Sequence, residues 1–116
     1  MKNNKSAIKI YYDSRIGDIS FFHDLLLGIE EEGIPYEIKG MDGESSMVYS
    51  FKAAEESRLD VGLGICHDGY VTLHHVKLKR DRPLFRINAN IQHNSLRLLG
   101  SNAARLVKGV PFKDMD

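Results

Sequence analysis

The sequence predicts an α/β fold: a single-domain layered sandwich with a mainly parallel sheet and helices on its faces. Three observations carry this. Segments rich in β-branched and aromatic residues alternate with segments of helical periodicity, the pattern of successive βα units. An Asp-Gly pair, Asp68-Gly69, separates two apolar runs and signals a hairpin, which adds an antiparallel strand. A length of 116 residues suits one domain with its own core, and no internal repeat or low-complexity tract argues for more.

Taken in order, Met1 to Ser6 is polar and is expected to fray at the edge of a domain spanning 1–116. Ala7 to Tyr12, AIKIYY, has strand composition. The loop Asp13 to Asp18 contains one glycine and neither GxGxxG nor Walker spacing, so it makes a poor phosphate cradle and Asp13 reads as a turn cap. Asp18 or Ser20 is available to cap the helix that follows. In that helix Phe22, Leu25, Leu26 and Ile29 recur at i, i+3, i+4 and i+7, one apolar stripe, and Gly33 and Pro35 punctuate its end. Tyr36 to Lys39 is a short second strand and Gly40 to Ser46 a polar loop.

Met47 to Ser57 is the second helix, capped by Ser45 or Ser46, with Val48, Phe51 and Ala54 on its apolar face. Asp60 to Cys66 is an apolar strand whose Gly62 and Gly64 share one side, where a helix or a partner backbone can approach closely. His67, Asp68 and Gly69 turn the chain, and Tyr70 to Val76 runs back. Leu84 to Asn88 is a further strand. Asn94 to Lys108 keeps Leu96, Leu99, Ala103, Leu106 and Val107 on one helical face, with Gly109 and Pro111 as stop signals and Gly100 as a point of kinking or division.

Sixteen basic and sixteen acidic residues cancel, so no overall field favours nucleic acid or an anionic membrane. The basic residues Lys77, Lys79, Arg80 and Arg82 read as a solvated loop. A single cysteine, Cys66, excludes an internal disulfide. With neither an apolar leader nor a run long enough to span a bilayer, the expected location is the cytoplasm. The catalytic inventory is thin: no nucleophile elbow, no HExxH, no paired carboxylates with a base. Cys66, His67 and Asp68 invite a metal reading, but consecutive residues at a hairpin tip rarely converge on one ion, and a turn is favoured. His74 and His75 point to opposite faces of their strand, which argues against joint ligation. A binding or regulatory subunit fits better than an enzyme.

The first helix breaks one rule. Glu30, Glu31 and Glu32 crowd its last turn, where backbone carbonyls already gather negative charge, at a cost of roughly 0.3 to 1 kcal/mol for each exposed carboxylate. A compensating positive charge is expected. At about 100° per residue, Glu31 lies opposite the apolar stripe on a strip shared with Asp24, Leu27 and Gly28. Gly28 costs about 1 kcal/mol relative to Ala inside a helix, and its bare backbone lets another backbone come close. Two readings stand: a solvated helix end with Gly28 as tolerated slack, or a partner interface formed by Asp24, Leu27, Gly28 and Glu31.

Two segments, LLLGIEEEGIPYEI at Leu25 to Ile38 and LRLLGSNAARLVKGVPF at Leu96 to Phe112, resemble the small subunit of the reactivating factor for coenzyme B12-dependent diol and glycerol dehydratases. AAEES, LDVGLGI and PLF in the middle of the chain agree in outline. The resemblance implies a fold similar to the dehydratase medium subunit. It also implies a large partner carrying an actin-like, Hsp70-like ATPase, and a chaperone that works by subunit exchange to release damaged cobalamin for replacement by adenosylcobalamin. The chain would then be a non-catalytic part of a hetero-oligomer, in the cytoplasm alone or with a bacterial microcompartment, without nucleic-acid or membrane partners. It would have no cofactor of its own. By the same resemblance the middle glutamate of GIEEEG, Glu31, is a metal ligand at the contact with the large subunit, with Mg2+ as the ion. The alternatives are a medium-subunit relative that contacts cobalamin, and a stand-alone module binding a small ligand at the strand ends near Asp13 and Cys66.

Overall fold

The computed structural model describes residues 6–115, so the expected fraying of Met1 to Ser6 lies outside the described residues except for Ser6. Five strands, β1 (Ile8–Asp13), β2 (Tyr36–Met41), β3 (Val61–Ile65), β4 (Tyr70–His75) and β5 (Phe85–Asn88), form one sheet in the order β2-β1-β3-β4-β5. β1 runs parallel to both β2 and β3, while β4 pairs antiparallel with β3 and β5. Helices α1 (His23–Glu31) and α3 (Leu96–Lys108) lie side by side over one face, and α2 (Ser46–Glu56) covers the other. This is the α/β sandwich that the alternation of segments predicts.

The pleat of β1 explains the layers. Ile8 and Ile10 join Phe22, Leu25, Ile29, Leu96, Leu99 and Ala103 in the main core under α1 and α3, while Tyr11 points the other way to Tyr49 and Ala53 of α2. Central β3 is buried throughout, as a strand covered on both faces must be. Its glycines set the distance to α2. A Cβ at Gly62 would stand 2.7 Å from the Ala53 carbonyl carbon, and one at Gly64 2.6 Å from the Ser50 amide nitrogen. The close approach expected at this pair is therefore made by the chain's own second helix.

That approach corrects the face assigned to α2. Ser46, Tyr49, Ser50, Ala53 and Ala54 are buried, whereas Val48 and Phe51 are only half-buried. Ser46, Ser50, Ala53 and Ala54 face the bare backbone of the two glycines, where small side chains let the helix come close, and Phe51 instead stacks edge-on against the buried His74. Ser45 is the N-cap, accepting the Val48 N–H at 3.2 Å. Nor does Gly100 divide α3, which is continuous from Leu96 to Lys108 after a 3-10 turn at His93–Ser95.

Candidate functional site: the acidic end of α1 and the strand-end cluster

The strip of α1 containing Asp24, Leu27, Gly28 and Glu31 faces α3. Gly28 is buried, and a Cβ there would strike the Arg97 carbonyl oxygen and lie 2.7 Å from the Ser101 amide nitrogen. The expectation that Gly28 belongs to a partner interface is thus corrected: the backbone it admits is this chain's own. Asp24 and Leu27 are half-buried, and the Asp24 carboxylate adds to the negative field on Arg97. Glu31 remains at the rim. Its side chain is 40% exposed, and its two carboxylate oxygens accept from Nε of Arg97 at 3.0 Å and from Nη2. The Arg97 guanidinium holds the Glu31 carboxyl below the usual carboxylate range.

The positive charge that the crowded helix end requires comes from α3 and the segment after it. Glu32, only 9% exposed, accepts from Lys108 Nζ at 2.7 Å, Ser101 Oγ at 2.7 Å and Arg105 Nε at 3.1 Å, with Lys113 Nζ at 3.7 Å. Lys108 also donates to the Glu32 backbone carbonyl at 3.1 Å, capping a helix-terminal acceptor. These bonds, led by that from Lys108, pull the Glu32 carboxyl down to about 2. Glu30 is exposed and, among the described residues, accepts a 3.3 Å bond from the Tyr36 hydroxyl.

The segment SNAARLVKGVPF is therefore held by contacts within this chain. Arg105 and Lys108 neutralise Glu32, Ser101 donates a hydrogen bond to it, and Ala103 and Ala104 fill the core. The buried Asn102 clamps the chain beyond the helix, its Oδ1 accepting from Lys113 N at 2.7 Å and its Nδ2 donating to Lys113 O at 3.0 Å. Arg105 Nη1 donates to the Pro111 carbonyl at 2.9 Å.

A second cluster forms at the C-terminal ends of β1 and β3. Asp13 is fully buried and caps the 3-10 turn Ser14–Ile16, accepting Arg15 N–H at 3.0 Å, which fulfils its expected role as a turn cap. Its carboxylate also grips the Arg15 side chain, with Nη2 at 2.8 Å, and receives His67 Nδ1 at 2.8 Å and the Cys66 thiol at 3.7 Å. Arg15 holds the Asp13 carboxyl far below its ordinary range, and burial pushes the Cys66 thiol up. The Asp68 carboxylate is not among the donor atoms gathered there. Its Oδ1 accepts Tyr70 N–H at 3.0 Å within the hairpin, the turn role read from the sequence. His74 is buried with its ring spent on backbone: Nε2–H donates to the Arg80 carbonyl at 3.0 Å and Nδ1 accepts His75 N–H at 3.0 Å.

Residues 5–113 match the family model for the dehydratase medium subunit. The chain belongs to that family. Within it, the chain is 36% identical over 114 residues to the propanediol dehydratase-reactivating factor small subunit of Citrobacter freundii, covering 98% of this chain and 97% of that one. It is 35% identical over 116 residues to the diol dehydratase-reactivating factor small subunit of Klebsiella michiganensis, covering 100% and 92%. Among solved structures, a glycerol dehydratase reactivase chain superposes with a TM-score of 0.89 at 31% identity, covering 97% of this chain and all of that one. A diol dehydratase-reactivating factor solved with ADP and Mg2+ gives 0.87 at 35%, covering 96% and 100%.

For this medium-subunit-family chain, the sequence marks Glu31 as outward and Asp13 and Cys66 as strand-end residues, and the structure places them so. It misses two relationships. Glu32, not Glu31, has the larger set of internal partners, and the third member of the Cys66–His67 group is Asp13, 53 residues from Cys66, not the adjacent Asp68. The available signal was topological: Asp13 and Cys66 end neighbouring parallel strands.

Proposed function

We propose that this chain is the non-catalytic small subunit of a reactivating factor for a coenzyme B12-dependent diol or glycerol dehydratase. The observation that carries the reading is its end-to-end likeness, in sequence and in backbone, to chains bearing that name. In this reading a large partner subunit supplies the ATPase. The small chain, built like a dehydratase medium subunit, trades places with that subunit so that damaged cobalamin can leave. The expected setting is cytoplasmic, and among the described residues no helix is long and apolar enough to cross a membrane.

Glu31 is the residue through which this chain would meet the large subunit's metal. Its carboxylate is a hard oxygen donor, exposed, kept ionised and oriented by Arg97, which suits Mg2+. For the cation to bind, Arg97 must yield one oxygen or share the carboxylate. Asp24 and Leu27 then border the contact.

Co-expression with the large subunit tests the reading. The expected result is a complex that restores activity to inactivated dehydratase when ATP, Mg2+ and adenosylcobalamin are supplied, with the large subunit alone ineffective. Failure to form that complex, together with cobalamin binding by this chain, would replace the reading with that of a medium-subunit relative.

A further inference from the structure

We propose that Asp13, Cys66 and His67 form a binding site for a thiolate-preferring divalent cation, zinc above all, at the C-terminal ends of β1 and β3. One donor atom from each residue falls in a cluster less than 4.8 Å across. Cys66 Sγ lies 3.6 Å from His67 Nδ1 and 3.7 Å from Asp13 Oδ2, and those two atoms are 2.8 Å apart. With zinc–sulfur bonds of about 2.3 Å and zinc–nitrogen or zinc–oxygen bonds of about 2.0–2.1 Å, the edges of a tetrahedral site measure roughly 3.3–3.6 Å. Both edges at sulfur already have ligating length. The nitrogen–oxygen edge must open by about half an ångström. His67 can supply that movement, because it sits on the turn after β3 with its side chain 49% exposed.

The chemistry of the donor set selects the ion. One sulfur, one imidazole nitrogen and one carboxylate oxygen suit zinc, whereas Mg2+ favours oxygen alone. Thiolate and carboxylate together match the charge of the dication, the Arg15 guanidinium, on a side chain 60% exposed, leaving one positive charge to solvent, and the remaining tetrahedral position opens to water beside His67. In the metal-free site Nδ1 of His67 carries the proton, since a carboxylate only accepts. On binding, the thiol proton passes to solvent and the ring proton moves to Nε2. Arg15 Nη2, at 2.8 Å, and Nε, at 3.1 Å, both leave Asp13 Oδ2, while Oδ1 keeps the Arg15 N–H at 3.0 Å and Nε at 3.1 Å as outer support for a ligating carboxylate. The proposal is independent of the reactivating-factor reading. Because α1 leads from the C-terminal end of β1 to the N-terminal end of parallel β2, Glu31 lies at the other end of the sheet.

The test uses the full chain, stripped of metal and titrated with cobalt(II) and then zinc. Expected are tetrahedral cobalt absorption with a thiolate-to-cobalt charge-transfer band, loss of both on adding zinc, and a zinc-dependent rise in melting temperature. Cys66→Ser removes the charge-transfer band, and His67→Ala weakens zinc binding by at least about tenfold. Asp68→Asn, outside the donor set, changes neither. Absence of the band in the wild-type chain overturns the proposal, and so does unchanged zinc affinity in His67→Ala, a variant at an exposed position that leaves the buried Cys66 in place.

Discussion

Gly28 and Gly100 bring α1 and α3 into backbone contact from the two sides of a single crossing. A Cβ on Gly28 would strike the Arg97 carbonyl, and one on Gly100 would strike the Leu25 carbonyl and stand 2.9 Å from its carbon. That contact brings Glu31 and Glu32 within reach of Arg97, Arg105 and Lys108.

Gly28→Ala and Gly100→Ala should each destabilise the chain by about 1–3 kcal/mol, the usual cost of overpacking, although Ala is the better helix former by about 1 kcal/mol. The double variant should cost less than the sum, because helices already forced apart accept the second methyl group. Urea unfolding measures all three. Neutral single variants would show that the crossing relaxes freely.

Glu32→Gln should cost about 2 kcal/mol, because Lys108 and Arg105 lose a charged acceptor in a mostly buried position. The pH dependence has a definite sign. The folded-state value of about 2 lies below the ordinary 4.5, so Glu32 contributes stability above pH 4.5 and loses it as pH falls toward 2. Melting temperatures across this window should fall more steeply for the wild-type chain than for Glu32→Gln.

Glu31→Gln should leave the melting temperature of the free chain nearly unchanged, since its ion pair with Arg97 is exposed. Its affinity for the large subunit in Mg2+ should drop at least about tenfold, the scale on which metal sites respond to altered ligation. Glu30→Gln, at an exposed position whose carboxylate accepts a 3.3 Å bond from the Tyr36 hydroxyl, should change neither quantity. Affinity of Glu31→Gln equal to wild type in Mg2+ would refute the metal bridge.

The chain alone should not bind ATP at micromolar concentration. The loop after β1, where a phosphate cradle would sit, is a 3-10 turn whose Arg15 is already held by Asp13, and the Asp13 carboxylate would repel phosphate. Isothermal titration with ATP and Mg2+ decides this, and micromolar binding would contradict it.

Local chemistry made much of the fold legible. The Asp68-Gly69 hairpin, the paired glycines of β3 and the stop at Gly33 are written in adjacent residues. What escaped depends on partners distant in sequence. A single apolar stripe on α1 reports its contact with the sheet, but a helix in a two-helix layer buries a second side against its neighbour, so Gly28 looked outward when it was covered. On α2 the larger apolar residues, Val48 and Phe51, dominated the periodic pattern, yet Gly62 and Gly64 select the face with Ala53 and Ser50. Likewise the Asp13–His67 pair joins residues 54 positions apart, beyond the reach of any local spacing rule.

Arg97, Arg105 and Lys108, which answer the acidic end of α1, follow it by 66 to 76 residues. While the polypeptide is being synthesised, α1 therefore emerges with its carboxylates unanswered and its glycine strip bare, and remains so until α3 follows. A nascent chain arrested between the two helices would present an unfinished layer to proteases and chaperones. The α1–α3 layer therefore closes only once translation has passed through α3.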